Sequence, residues 1–220
     1  MRNKEWLFIT LATFATVGVI FVVTFFLAKD TPKPNTSTSD VKQQSVLSND
    51  DMSSHHAPAS PSDSTAFNSL VGKTAPDFTL EDYTGKAVTL SSLKGKKVLL
   101  FFNEGIMCYP SCWNQIAAFG SATEFDNETI ILNIVVDPKK DWQQAISKMP
   151  QLAKATVLFD SNATVSNQYG VLNLPSSMHR GQYPGHSYVI IDKEGIIRFT
   201  MDDEKMAVRN KELAEEMNKL

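Results

Sequence analysis

The chain has two cysteines, Cys108 and Cys112, four positions apart in Phe101-Phe102-Asn103-Glu104-Gly105-Ile106-Met107-Cys108-Tyr109-Pro110-Ser111-Cys112-Trp113. Two are too few for a disulfide scaffold. At i and i+4, both sulfurs fall within one helical turn and can meet. That spacing points to redox or metal chemistry rather than to two inert core thiols. A cysteine reacts as its thiolate, so a reactive site needs something that lowers the thiol pKa. Pro suits the first helical position. The sequence therefore predicts a helix from Pro110 to about Glu124, with Cys112, Ile116, Phe119 and Thr123 on one face. Cys108 then lies just before the helix start, where free N–H groups and the helix dipole favour negative charge. This makes the pair asymmetric. Cys108 is expected as the exposed attacking thiol and Cys112 as the partly buried resolving one. Exchange would run through a mixed disulfide on Cys108 that Cys112 releases. A disulfide across i, i+4 is expected to be labile rather than structural.

Three other residues have candidate roles. Glu104, four before Cys108, is a candidate proton relay to or from a thiol. Trp113 flanks the pair, either lining a substrate groove or packing the helix. Asp137-Pro138 ends a strand on the edge where α/β sites gather, and reads as a turn and helix cap.

The elements that must position these residues follow from periodicity. Asp77–Leu80 and Ala87–Leu90 alternate around Asp82-Tyr83-Thr84-Gly85, which predicts a β-hairpin. Ser91 to Gly95 is a short helical turn with a Gly stop. Lys97 to Asn103 is nearly all apolar, as in a strand covered on both faces. Further strands are expected at Thr129–Val136 and Thr156–Phe159, with helices at Asp141–Met149 and Thr164–Tyr169. A loop runs from Val171 to Gly185. Ser187–Ile191 and Gly195–Met201 form a second hairpin, and the tail from Asp203 to Leu220 is helical, with Ala207, Leu213 and Met217 on its buried face. Interleaved strands and helices indicate an α/β three-layer domain with a mixed central sheet flanked by helices.

The rest of the chain divides in two. Residues 6–28 carry no charge and as a helix would span ~34 Å, enough to cross a bilayer core of ~30 Å. The expectation is an uncleaved transmembrane anchor (residues 1–29), against the competing reading of a signal peptide. Arg2 and Lys4 before it favour a cytoplasmic N-terminus, with the rest of the chain outside the cytoplasm, where a disulfide-forming pair makes sense. Residues 30–69, rich in Ser, Thr and Pro, are expected as a disordered linker, with His55-His56 solvated in it. The domain proper is expected at 70–220. With 21 Lys+Arg, 24 Asp+Glu and a formal net charge of -3, the composition gives no basic block and excludes a nucleic-acid partner.

Several stretches carry a resemblance. Val71-Gly72-Lys73-Thr74-Ala75-Pro76-Asp77-Phe78-Thr79-Leu80, then Gly85 and Leu90 to Gly95, resemble the opening of AhpC/TSA-type peroxiredoxins, and equally that of membrane-tethered thioredoxin-like proteins of the TlpA/ResA kind. The Lys97–Asn103 strand leading to a cysteine, and Tyr188 to Arg198, continue it over most of residues 70–200. The resemblance implies a thioredoxin-like fold. It departs from the peroxiredoxin Pro-x-x-x-Thr-x-x-Cys segment. Glu104 stands near the Pro, Cys108 near the Thr, and Cys112 one position beyond the cysteine, and neither Arg180 nor Arg198 clearly matches the activating Arg. Thioredoxins have CxxC where this chain has CxxxC. They also imply a cis-Pro facing the cysteines, with Pro175 preferred over Pro184. CxxxC is similar to the spacing of Sco-type copper proteins, which add a histidine before a late strand, as in Gly185-His186-Ser187. Two thiolates and an imidazole form a soft set suited to copper, with Met178 and His179 of suitable type nearby.

Together these imply a membrane-anchored thiol–disulfide oxidoreductase outside the cytoplasm, antioxidant or disulfide-reducing, with Cys108 and Cys112 as its redox pair. It would need no cofactor. Its partners would be the bilayer through residues 6–28, a thiol electron donor outside the cytoplasm, and a peroxide or oxidised protein as substrate. The alternative is a Sco-like copper-binding protein using Cys108, Cys112 and His186.

Overall fold

The computed structural model describes residues 61–220. The expected membrane anchor, most of the expected linker and His55-His56 lie outside the described residues. Among those described, no helix is long and apolar enough to cross a membrane.

Seven strands form one mixed sheet: β1 (Thr79–Asp82), β2 (Ala87–Thr89), β3 (Lys97–Phe102), β4 (Thr129–Val135), β5 (Val157–Phe159), β6 (Ser187–Ile191) and β7 (Ile197–Asp202). Their spatial order is β2-β1-β5-β4-β3-β6-β7. β3, β4 and β5 run parallel, and β6 pairs antiparallel with β3. Both expected hairpins form, β1 with β2 and β6 with β7. The helices are α1 (Thr65–Asn68), α2 (Ser111–Phe119), α3 (Trp142–Lys148), α4 (Thr164–Gln168) and α5 (Asn210–Met217).

Every residue of β3 is buried. Alternate side chains divide between two cores, as the strand period of two requires. Val98, Leu100 and Phe102 join Phe67, Tyr169 and Leu174 on one face. Leu99 and Phe101 join Trp113, Ile116 and Phe119 of α2, Trp142 of α3 and Leu213 of α5 on the other. Each such large side chain contributes ~1.5–3 kcal/mol on leaving water. Lys97 opens this apolar strand because its amine can still be satisfied: Nζ donates to the Met217 carbonyl at 3.1 Å, at the open end of α5.

Several boundaries differ from expectation. The folded part begins before Leu70, since residues 65–68 form α1 and Phe67 is fully buried. One aromatic suffices to pin that segment to the core. α2 ends at Phe119 rather than near Glu124, and Thr123 lies outside it. Gly120 lets the chain pass close to the backbone of Lys154 and Ala155, where a Cβ would meet atoms at 2.9–3.0 Å. α5 starts seven residues later than expected, so Ala207 is outside it. Asp203 holds the intervening turn by accepting from the N–H groups of Lys205 and Ala207 and from the Arg209 guanidinium.

Candidate active site

The site lies where β3 ends and β6 begins. Phe102 pairs with Ser187, so Asn103 and His186 continue side by side from that pairing. The chain leaves β3 through Asn103, whose Oδ1 accepts from Gly105 N–H at 2.9 Å and turns the backbone. A single 3-10 turn, Gly105–Met107, leads to Cys108. α2 then starts at Ser111, and Cys112 N–H donates to the Cys108 carbonyl at 3.0 Å.

Cys108 and Cys112 are joined as a disulfide with Cα atoms 5.3 Å apart. Cys112 sits on the buried face of α2, as expected. Cys108 does not fit the expectation of an exposed thiol: it is 3% exposed and Cys112 1%. Its neighbours Met107 and Tyr109 take the solvent side instead, and the turn before it is pulled inward from two directions. Trp113 Nε1 donates to the Gly105 carbonyl at 3.1 Å, and Ile106 N–H donates to Asp137 Oδ2 at 2.9 Å. Trp113 is therefore a packing residue that also ties down the cysteine turn.

Asp137 does more than the expected turn and cap. It is buried at the end of β4, and α3 receives no side-chain cap from it. Burial, reinforced by Asp141, pushes its carboxyl pKa up to about 6, against the Ile106 N–H, which favours the anion. Nothing in the sequence distinguishes it from an ordinary Asp-Pro turn.

Glu104 is buried, and its acceptors are taken by the loop opposite. Oε1 accepts from Met178 N–H at 2.6 Å, His179 N–H at 3.1 Å and Ser177 Oγ at 3.3 Å, and Oε2 lies 3.2 Å from His179 Nδ1. The expected relay to a thiol is thus replaced by a clamp on residues 177–179. His179 is accordingly held by Glu104, and Met178 is exposed. Neither belongs to the sulfur cluster.

Pro175 is a second correction. Among the described residues the cis peptide is Tyr109–Pro110, within the cysteine motif, and the bond before Pro175 is trans. Ser176 N–H and Oγ both bond Asp202 at the end of β7, and Ser177 N–H bonds the Leu174 carbonyl. These contacts fold residues 174–177 into a turn rather than an extended segment facing the cysteines. Pro184 is buried ahead of β6.

His186 is brought to the pair. Its Nδ1 lies 3.5 Å from Cys112 Sγ, and its Nε2 lies 2.8 Å from Tyr188 Oη. The ring packs edge-on against Phe101 at 4.7 Å between centroids. Burial pushes its pKa down to about 4, so it is neutral at physiological pH. One potential ligand atom each from Cys108, Cys112 and His186 falls within 4.8 Å of the others. A soft metal would need both thiolates, which exist only in the reduced pair; in this structure the two sulfurs are bonded to each other. The arrangement carries two-electron sulfur chemistry beside a neutral imidazole.

Comparison with known proteins places this geometry. The family model described as AhpC/TSA family matches residues 71–200. "Peroxiredoxin Q, chloroplastic" from Sedum lineare is 29% identical over 170 residues, covering 76% of this chain and 88% of that one. "Putative peroxiredoxin bcp" from Haemophilus influenzae is 33% identical over 140 residues, 62% of this chain and 88% of that one. The match to the wheat (Triticum aestivum) peroxiredoxin Q spans 59% of that protein. Among solved structures, the mitochondrial 2-cys peroxiredoxin from Plasmodium falciparum superposes with a TM-score of 0.57 at 25% identity, covering 68% of this chain and 93% of that one. A putative protein disulfide isomerase from Bacteroides thetaiotaomicron shares the fold, with a TM-score of 0.51 at 22% identity over 68% of this chain and 88% of its own. With its sheet order, its cysteine pair at the end of β3 and this match over most of the folded part, the chain belongs to the AhpC/TSA family.

Proposed function

We propose that this protein is a thiol-dependent peroxidase of the peroxiredoxin Q and bcp kind, working through the Cys108–Cys112 pair and needing no cofactor. The observation that carries it is the disulfide at the start of α2, seated on an AhpC/TSA framework. Cys108 is the attacking sulfur in this reading, because it precedes α2 on a turn flanked by the solvent-exposed Met107 and Tyr109, whereas Cys112 lies inside α2 against His186. Its thiolate attacks a peroxide oxygen. An S–O bond forms, the O–O bond breaks, and water or an alcohol leaves with the proton. Cys112 then attacks the Cys108 sulfenic acid, forming the S–S bond and releasing water. An external dithiol restores both thiols by exchange. Exposed Met107, Tyr109 and Met178 near the pair suit a protein thiol donor of the thioredoxin type, which must bring its own cysteines against Cys108.

Location belongs to the same proposal. The uncharged run of residues 6–28 supports attachment to a membrane, with the redox domain outside the cytoplasm and a donor on that side.

The test is peroxide consumption by the full chain with a dithiol donor. Cys108→Ser is expected to abolish turnover. Cys112→Ser is expected to leave a sulfenic acid on Cys108 that a diketone reagent traps. Unchanged turnover in Cys108→Ser refutes the assignment.

A further inference from the structure

The hydrogen bonds behind Cys112 run in one direction, and a backbone group sets it. Arg209 N–H can only donate, and it donates to Gln115 Oε1 at 2.7 Å. That fixes the Gln115 amide, whose Nε2 donates to Asn210 Oδ1 at 2.9 Å. Tyr188 Oη lies 3.1 Å from the same Gln115 Oε1 and must donate to it, because a carbonyl oxygen carries no proton. With its own proton committed, Tyr188 Oη accepts from His186 Nε2 at 2.8 Å. A neutral imidazole with its proton on Nε2 leaves Nδ1 as a bare lone pair. That lone pair is the atom 3.5 Å from Cys112 Sγ.

The charges around the ring do not upset this assignment. Asp203 and Arg209, from the turn after β7, act on it in opposite senses and are paired with each other at 2.7 Å, and the backbone of Ala207 in the same turn favours a proton on the ring. Glu212 of α5 acts on Tyr188 and is paired with Arg209. α2 contributes Cys112 and the neutral Gln115. Cys112 is itself enclosed, so removal of its proton by solvent hydroxide is slow.

We propose that His186 Nδ1 is the proton acceptor for the Cys112 thiol when Cys112 closes the disulfide on Cys108. This rests on the redox reading above and adds a catalytic residue to it. The Cys112 sulfur attacks the Cys108 sulfur, and a new S–S bond forms. The bond from Cys108 to its leaving group breaks, and that group departs with the electron pair. The Cys112 proton passes to Nδ1 and then to the departing hydroxide or thiolate. With a sulfenic acid on Cys108, the peroxide has already taken the two electrons: closure oxidises the Cys112 sulfur, reduces the Cys108 sulfur by the same amount and releases water. With a mixed disulfide, the departing thiolate is the sulfur that is reduced as Cys112 is oxidised. Tyr188 and Gln115 are positioning residues that hold the tautomer.

The test isolates this step from peroxide chemistry. The reduced full chain is mixed in a stopped-flow cell with an aromatic disulfide whose thiol is coloured. A first arylthiolate reports the mixed disulfide on Cys108, and a second reports closure by Cys112. The wild type is expected to close at a nearly constant rate from pH 8 to pH 5.5. His186→Gln should close ~10–100-fold more slowly at pH 6, falling about tenfold per pH unit, because an external base must then remove the proton. Tyr188→Phe keeps the ring but frees Nε2–H. It is expected to slow closure less and to shift the imidazole nitrogen-15 resonances towards the Nδ1–H tautomer. A wild-type pH profile in folded His186→Gln overturns the proposal. If that variant does not fold, an unchanged rate and an unchanged tautomer in Tyr188→Phe overturn it. Failure of the redox pair itself looks different, with no second arylthiolate released from the wild type at any pH.

Discussion

The Asp137 carboxylate occupies the space beside Gly105: a Cβ on Gly105 would fall 1.7 Å from Asp137 Oδ2. Gly105 also has φ +60, a conformation that suits glycine. These two residues fix the path from β3 to Cys108, the first from the chain leading to the cysteine and the second from the neighbouring strand.

Gly105→Ala is therefore expected to cost about 2–4 kcal/mol, combining overpacking with a left-handed residue. Gly72→Ala is the control. It has φ +85 but nothing within 4 Å of its Cβ, so only the backbone term of ~1 kcal/mol applies. Urea unfolding of the oxidised chain measures both. Equal losses would show that the Asp137 contact is irrelevant.

Asp137 titrates in the folded chain near 6, above its ordinary value of 3.8. A raised carboxyl pKa means the folded state binds the proton more tightly. Its contribution is fully present below the unfolded pKa and is lost as pH rises through about 6. Asp137→Asn should accordingly stabilise the protein by up to ~3 kcal/mol above pH 7 and by almost nothing at pH 4. Unfolding free energies at the two pH values decide it. A variant equally stable relative to wild type at both would remove Asp137 from the account.

His186 has the opposite sign. Its folded pKa, about 4, lies below the ordinary 6.5. The contribution is present above 6.5 and is lost as pH falls towards 4. Between pH 7 and pH 5 the wild type should lose about 2 kcal/mol relative to His186→Gln. In the wild-type curve the Asp137 and His186 effects oppose each other between pH 6 and 4, so only the difference from each variant reveals them.

Glu104→Ala leaves the Met178 and His179 N–H groups without their carboxyl acceptor, at a cost of ~1–3 kcal/mol. Glu104→Gln keeps an acceptor and should lose less. Amide hydrogen exchange at residues 178 and 179 is expected to accelerate in both, more so in the alanine variant. Unchanged protection there would refute the clamp.

The sheet was readable because its central strands are buried on both faces, and β3, β4 and β6 announce themselves as apolar runs. The cysteine pair was readable because four-residue spacing is a local property. Features that depend on distant partners were not. Glu104 looks like a loop carboxylate until residues 177–179 fold against it. Phe67 is one aromatic in a polar stretch, and only the completed core shows that it is buried. The start of α5 is set by Asp203, a side chain that competes for the backbone before the helix begins. Pro175 resembled a cis-Pro by position, but two hydrogen bonds to Asp202 route that segment elsewhere. The nearness of His186 to Cys112 comes from strand pairing, which no local pattern encodes; only the resemblance to a CxxxC-plus-histidine arrangement anticipated it.

The disulfide spans four residues, whereas the contact between Cys112 and His186 spans 74. The sulfur–sulfur bond therefore closes within one short segment of chain, a contact of low entropic cost. The contact with the imidazole exists only where β6 is docked antiparallel on β3. A chain that loses that docking keeps both cysteines and loses the imidazole beside Cys112. The redox pair belongs to one turn of the backbone, and its base to the finished sheet.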